Sequence, residues 1–261
     1  MHLEAVTYEV APPCKALEGF VSHFWCSRWH AGVQQHFSYH ATACTTTELA
    51  FAFAPGWNRH RPNTVFSSVQ GHTENHSRID TGGFSDMFGV SLHSYAVPFF
   101  FNIPASRLTN QLIDLDELIP GGAAILADSL ARGRTFPDRV EIMTQYLKAK
   151  WQQVAQADPA IMHAIRRMRG MKGSVSIRDL AGECSLSQKQ FERRFRAFSS
   201  FTPKLYARIL RFESSLGSYK KLDSLTDVAH HLGYYDQAHF INDFKKFSGF
   251  SPRKYMAVMP Y

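Results

Sequence analysis

"LGYYDQAHFINDFKKFSGFSPRKY", residues 232–255, lies near the end of a 261-residue chain and repeats most of a pattern already present in "CSLSQKQFERRFRAFSSFTPKLY", residues 184–206. One extra residue in the later copy, between Tyr234 and Asp236, brings the two into register. Asp179 then aligns with Asp227, Ala181 with Ala229, Gln188 with Gln237, Phe191 with Phe240, Phe195 with Phe244, Phe198 with Phe247, Pro203 with Pro252 and Tyr206 with Tyr255. Self-similarity at a spacing of about 48 residues marks one supersecondary unit used twice.

Each copy carries helix punctuation. Ser176 with Asp179 and Ser224 with Asp227 have the spacing of a capping box, so a short helix is expected to start at each. Ala181 and Ala229 are small enough for a second helix to cross close by. A turn follows at Ser185-Leu186 and at Gly233-Tyr234-Tyr235; Gly233 takes positive φ cheaply, whereas Ser185 would do so at a cost on the order of 1 kcal/mol. Ser187 and Asp236 are the N-caps expected for the next helix. Phe191, Phe195 and Phe198, like Phe240, Phe244 and Phe247, recur at i, i+4, i+7, giving one apolar stripe per copy. The opposite faces carry Gln188, Lys189, Glu192, Arg193 and Arg196 in the first copy, and Gln237, His239, Asn242 and Lys246 in the second. These are side chains that pair with base edges, with cations beside them for phosphates. Thr202-Pro203 and Ser251-Pro252 each set a cap before a Pro at the first helical position. Between the copies, 203–219 reads as one helix with Leu205, Ile209, Phe212 and Leu216 on a face. A plain helical domain would also bury the Phe stripes, but it leaves the pairing of two such units with cationic outer faces unexplained.

Charge divides the chain in the same place. Residues 1–157 hold 11 Lys and Arg against 13 Asp and Glu, and residues 158–261 hold 18 against 9, a net −2 and +9. A basic excess confined to one part is the electrostatic footprint of a polyanion binder. Hydrophobic content of 44% with 20% charged residues describes a globular chain with buried cores. The apolar runs at 49–54 and 96–101 are too short to span a bilayer, and "MHLEAVTYEV" lacks the basic start and apolar stretch of a secretory signal. A cytoplasmic protein is the expectation. Cys14, Cys26, Cys44 and Cys184 form no Cys-x-x-Cys pair, which points to buried free thiols.

With these residues in view, the stretch from about 165 to 258 resembles the AraC/XylS family of bacterial transcription regulators. The match is carried chiefly by Ala229, Gly233, Tyr234, Phe240, Phe244, Lys245, Gly249, Pro252 and Tyr255. The resemblance implies a C-terminal domain of two helix-turn-helix units joined by a long helix, the second helix of each unit entering the major groove of promoter DNA. Carried onto this sequence, it makes Lys189, Gln190, Glu192 and Arg193, joined by Gln188, the base-edge candidates of the first unit, and Gln237, Ala238, His239 and Asn242 those of the second. Arg196, Lys245, Lys246, Arg253 and Lys254 are the phosphate candidates from charge and position. Asn242 stands where the family often has a basic residue. Asn pairs bidentately with adenine whereas Arg favours guanine, so the base preference differs. Glu192 either accepts from cytosine or holds Arg193 and Arg196 in place. RNA polymerase, a small-molecule effector and a second copy of the chain are the further partners the resemblance implies; no cofactor is expected.

The first 157 residues are expected to complete an α+β architecture. "FVSHFWCSRW", "ELAFAFA", "TVFSSVQ" and "MFGVSLHSY" mix aromatic and β-branched residues between breaks, as the strands of a barrel or sandwich do. "GAAILADSLARG" and "PDRVEIMTQYLKAKWQQVAQ" read as helices, with Ser106 and Asp114 as caps. The expected order is a β-rich, cupin-like sensing domain at 1–120, a helical connector at 121–157 with a dimerising role, and the DNA-binding domain at 158–261. "FGVSLHSYAVPFFFNIPASRLTNQLIDLDEL" is similar to the N-terminal domain of one uncharacterised subgroup of these regulators. Trp25, Phe51, Phe53, Trp57 and Phe100, with Trp29, Phe99 and Phe101 near them, line a ligand pocket or fill the core. His36 and His40, spaced i, i+4, suggest an alternative: a metal-dependent cupin-like enzyme or metal sensor fused to the DNA-binding domain. His72 and His76 repeat that spacing. No nucleophile triad, phosphate loop or paired-carboxylate motif suggests other catalysis.

Overall fold

The computed structural model describes residues 7–28, 37–53, 64–81, 86–151, 158–218 and 224–258. Two compact units divide the chain: Met1–Tyr39, Thr46–His72 and Ile79–Ala155 form the first, and His40–Thr45, Thr73–Arg78 and Gln156–Tyr261 the second.

The strands, in chain order, are β1 (Thr7–Ala11), β2 (Val21–Arg28), β3 (Phe37–Ala41), β4 (Thr46–Phe53), β5 (Thr64–Gln70), β6 (Ser77–Thr81), β7 (Asp86–His93) and β8 (Leu112–Asp114). Six of them pair antiparallel in the order β1-β2-β7-β4-β5-β8, and β3 and β6 make a separate two-stranded sheet. The four expected strand segments are β2, β4, β5 and β7; among the described residues they form an open sheet. Side chains alternate between its faces. One face carries Phe24, Cys26, Leu49, Phe51, Phe53, Val69, Phe88, Val90 and Leu92. These share a core with the helices α1 (Val97–Phe101), α2 (Leu115–Leu118), α3 (Ala123–Arg132) and α4 (Phe136–Lys150), through residues such as Phe100, Leu115, Leu126, Leu130, Met143 and Leu147. Residues 121–150 thus pack into the core of the first unit. Asp114 caps α2 in a capping box with Glu117, as expected, and Thr135 with Asp138 does the same for α4. Ser106 caps nothing: it lies inside the 3-10 turn Ala105–Leu108, which begins after the extended Pro104. Arg139 is buried beneath the Phe53 ring, 4.2 Å from its centroid, and meets both oxygens of Asp86 at 2.8 and 2.7 Å, which compensates a charge placed in the core.

The second unit is helical: α5 (Pro159–Gly170), α6 (Ile177–Glu183), α7 (Gln188–Ser199), α8 (Pro203–Ser218), α9 (Leu225–His231), α10 (Gln237–Ser248) and α11 (Pro252–Val258). Only α5 is not expected from the sequence. Ser176, Ser187, Ser224 and Asp236 each accept a backbone N–H at the start of the helix assigned to them. The duplication extends to bonds that no alignment shows. Ser199 Oγ donates to the Phe195 carbonyl at 2.9 Å and Ser248 Oγ to the Phe244 carbonyl at 2.7 Å, and each hydroxyl accepts the N–H two residues on. Phe195 meets Tyr206 edge-on at 5.4 Å and 74°, and Phe244 meets Tyr255 at 5.4 Å and 80°. Phe212 of α8 lies 5.2 Å from Phe244 and 5.6 Å from Phe247. Phe198, the stripe residue equivalent to Phe247, stays half-buried.

The two turns differ as their residues dictate. Ser185 has φ +56° and Gly233 φ +71°, both left-handed. A Cβ at Gly233 would stand 2.5 Å from Ser174 Oγ. Gly233→Ala is therefore expected to destabilise the second unit by about 1–2 kcal/mol, and Ser185→Gly to stabilise it by up to about 1 kcal/mol. Urea unfolding of the two variants beside the parent checks both signs.

Candidate nucleic-acid interface

Burial of the Phe stripes decides which side of each longer helix faces out. On α7, Phe191 and Phe195 are fully buried, while Gln188, Lys189, Gln190, Glu192, Arg193 and Arg196 are exposed. On α10, Phe240, Phe244 and Phe247 are buried, while Ala238, His239, Asn242, Lys245 and Lys246 are exposed and Gln237 is half-buried. Arg253 and Lys254 are exposed at the start of α11. Each helix thus presents its candidates on one outer face.

Several of these side chains already have bonds. Gln190 Oε1 accepts from Ser187 N at 3.1 Å and from Ser187 Oγ at 3.0 Å, completing a capping box. Gln188 Nε2 donates to Glu192 Oε1 at 2.9 Å; among the described residues Glu192 forms no ion pair with Arg193 or Arg196. Gln237 Oε1 accepts from Thr226 Oγ1 at 2.8 Å. Lys246 stands 3.9 Å from Glu74, which belongs to the same unit, and 5.7 Å over the Phe247 ring.

The cations that brace the domain are different ones. Arg194, on the inner side of α7, binds both oxygens of Asp158, the N-cap of α5, at 2.8 and 2.7 Å. Partial burial raises the Asp158 carboxyl, but Arg194 and the Ile161 N–H outweigh it and hold the group below its usual range. Arg208 of α8 binds the buried Asp243 of α10 at 2.5 and 3.1 Å. Arg211 lies 5.0 Å over the Tyr234 ring, and burial pushes the Tyr234 hydroxyl up to about 12. Sequence reading names neither Arg194 nor Arg208. Their partners are 36 and 35 residues away and no local spacing signals them. Tyr235, the extra residue of the second copy, is 90% exposed just before the N-cap of α10, and the one-residue insertion was its sequence signal.

In the first unit the pocket candidates separate. Phe51, Phe53 and Phe100 lie in the helix-packed core. Trp57, Trp29 and His36 lie outside the described residues. His40 Nε2 is 2.5 Å from the Ser248 carbonyl, and both belong to the second unit. Among the described residues there is no group of three or more His, Cys, Asp or Glu arranged to hold a metal ion. His72 is buried between Thr47 Oγ1 at 3.2 Å and Thr109 Oγ1 at 2.9 Å, and burial holds its pKa down to about 4.

Trp25 lies on the opposite face of the sheet, in phase with Glu48. Ser91 Oγ donates to Glu48 Oε2 at 3.1 Å. Burial pushes the Glu48 carboxyl up to about 7, against the lowering pull of Ser91 and of the Trp25 indole N–H. A carboxyl raised on folding contributes stability below its unfolded pKa, near 4.5, and loses it as pH rises through about 7. The first unit is therefore expected to lose on the order of 2 kcal/mol between pH 5 and pH 8, and Glu48→Gln to remove that slope. Denaturant unfolding at several pH values checks this.

Comparison with known proteins agrees with this division. Residues 180–257 match the family described as a helix-turn-helix domain, and residues 9–114 match a domain of unknown function, DUF6597. The fold and the paired outward faces define a DNA-binding transcription regulator. Residues 180–257 thus carry a helix-turn-helix domain of the AraC type. Among solved structures, ToxT from Vibrio cholerae is similar at 8% identity over all of both chains, with a TM-score of 0.47. The C-terminal domain of AraT, a response regulator from Geobacillus stearothermophilus, is similar at 18% identity, covering 39% of this chain and 87% of that one, with a TM-score of 0.37. The DNA-binding domain of the global transcriptional factor AdpA, solved with a target DNA, is similar at 22% identity, covering 40% of this chain and 98% of that one, with a TM-score of 0.35. No curated protein matches the chain in sequence. No helix among the described residues is long and apolar enough to cross a membrane.

Proposed function

We propose that the chain is a one-component regulator in which residues 1–157 sense a small molecule and residues 158–261 bind promoter DNA from the cytoplasm. The observation that carries this reading is the matched pair of capped helices, α7 and α10, whose polar faces point outward because the Phe stripes are buried. Arg193 and Lys189 on α7, and His239 and Asn242 on α10, are the base-reading residues; Gln188, Gln190, Glu192, Gln237 and Ala238 shape the same surface. Arg196, Lys245, Lys246, Arg253 and Lys254 neutralise phosphates, and Tyr235 joins them through its exposed hydroxyl. The bonds already made by Gln188, Gln190 and Gln237 favour a positioning role for those three, since reading a base would require breaking a bond within the domain. Regulation rather than catalysis is the role this architecture serves, through promoter occupancy and contact with RNA polymerase.

Selection from random duplexes with the full chain, followed by anisotropy titrations at several salt concentrations, tests the reading. A motif of two short blocks about one helical turn apart is expected. Asn242→Ala or Arg193→Ala should cost about 1–3 kcal/mol on that motif and relax the preference at one position, whereas Lys245→Ala should weaken all sequences alike and reduce the salt slope by about 1. Unchanged sequence preference in Asn242→Ala would show that α10 does not read bases.

A further inference from the structure

Two short segments from the first 157 residues fold with the second unit: His40–Thr45 and Thr73–Arg78. Ala43 and Thr45 are buried there. The Ala43 N–H donates to the Phe247 carbonyl at 2.9 Å, and His40 Nε2 donates to that of Ser248. These belong to the last four carbonyls of α10, which no partner within the helix satisfies. The Thr45 N–H donates to Glu213 Oε1 at 2.7 Å, and Thr45 Oγ1 stands 3.1 Å from each oxygen of the same carboxylate. Glu213 lies on α8 next to Phe212, whose ring meets Phe247 at 5.6 Å. Residues 43–45 therefore bridge α8 and α10 at the point where Phe212 meets Phe247.

The second segment backs the first. Cys44 and Thr73 exchange backbone hydrogen bonds at 2.8 and 3.1 Å. Glu74 stands 3.9 Å from Lys246, and His76 covers Gly249, where a Cβ would lie 2.8 Å from the imidazole. His40 stacks on His76 at 5.6 Å and tilts against Phe250 at 4.6 Å. One histidine from each of the two i, i+4 pairs thus helps to enclose the end of α10. All these bonds fall at the C-terminal end of the helix, and the base candidates His239 and Asn242 lie toward the other end. At about 1.5 Å per residue His239 is about 12 Å along the axis from Phe247, so a tilt of about 5° at that end displaces it by about 1 Å, more than the spread of N–H···O distances.

We propose that Ala43–Thr45 is a positioning element for DNA reading: it sets α10 on α8 so that the second copy reaches its bases, and Thr45 is its anchoring residue. This rests on the reading role given to α10 above. It makes the reading of one DNA block depend on residues from the first 157. The two Thr45 bonds end on a carboxylate, and hydrogen bonds to an ionised acceptor are shorter and stronger than neutral ones. The bonds of this segment reach α8 and α10, not α7, so its loss affects the two blocks unequally.

The test compares Thr45→Val and Thr45→Ser with the parent full chain, in selection from random duplexes and in anisotropy titrations on the selected motif, below the unfolding transition of each. Asn242→Ala and Arg193→Ala assign the two blocks to α10 and α7. Thr45→Val keeps the shape and loses the hydroxyl. It should weaken the selected motif about tenfold, the size of one lost base contact, with the preference flattened in the α10 block and kept in the α7 block. Thr45→Ser should restore both affinity and preference. Hydrogen exchange of the parent chain needs no variant: the Ala43 and Thr45 amides should exchange as slowly in the DNA complex as in the free chain, or more slowly. Equal loss on both blocks in Thr45→Val, no loss at all, no restoration by Thr45→Ser, or faster exchange of the two amides in the complex overturns the positioning role. A parent chain that selects no two-block motif instead removes the reading role of α10 itself, and the positioning role with it.

Discussion

The edge-on seating of Phe195 on Tyr206, repeated by Phe244 on Tyr255, is the interaction from which the DNA-binding half takes its geometry. Each pair joins a longer helix, α7 or α10, to the helix that follows it, across a left-handed residue, Ser200 or Gly249, and a serine whose hydroxyl ties the helix end to the next segment. Side chains three and four apart share a helical face, so once the Phe stripe is held inward the residues between its members must point out. The polar outer surface is thus a by-product of core packing. The first copy's pair uses Tyr206 of α8, and six residues further along the same helix Phe212 meets Phe244 and Phe247 of the second copy. One rigid helix therefore sets the relation of α7 to α10.

The bracing ion pairs keep cations away from this surface. Arg194 and Arg208 point inward and are committed to Asp158 and Asp243, carboxylates largely withdrawn from water. Removing Arg208 would leave the buried Asp243 uncompensated, at a cost of about 3–5 kcal/mol, whereas the partly exposed pair of Arg194 and Asp158 contributes less. Arg193 and Arg196, one and two positions from Arg194, keep exposed heads. Cations of one type on one helix are thus sorted into brace and surface by helical phase alone.

This sorting explains how far the sequence could be read. The second half was legible because its decisive signals are local: Ser187 and Asp236 cap helices two residues inside their own neighbourhood, and the Phe stripes follow a period of one helical turn. Arg194 and Arg208 were missed because nothing local distinguishes them from Arg193. In the first half the strands are locatable, but composition alone leaves each aromatic open between pocket and core. Phe51 and Phe53 were grouped with Trp25 by composition, although "ELAFAFA" alternates Phe with Ala and sets Glu48 in phase with the Ala positions. Period two places Glu48, Ala50 and Ala52 on one face and Leu49, Phe51 and Phe53 on the other. The pairing of Arg139 with Asp86, 53 residues apart, had no such signal.

Both halves hold a buried carboxyl met by a guanidinium and another met by hydroxyl donors. In the helical half the buried Asp243 is met by the Arg208 guanidinium, while Glu213 accepts from Thr45 N at 2.7 Å and from Thr45 Oγ1 at 3.1 Å, and burial raises its carboxyl. In the sheet half, Arg139 and Asp86 follow the same rule on the helix-packed face, while on the other face Glu48 has Ser91 and no cation. A protein under selection for stability alone would replace such a carboxyl with an apolar residue, because an unpaired buried charge is among the most destabilising features a domain can hold.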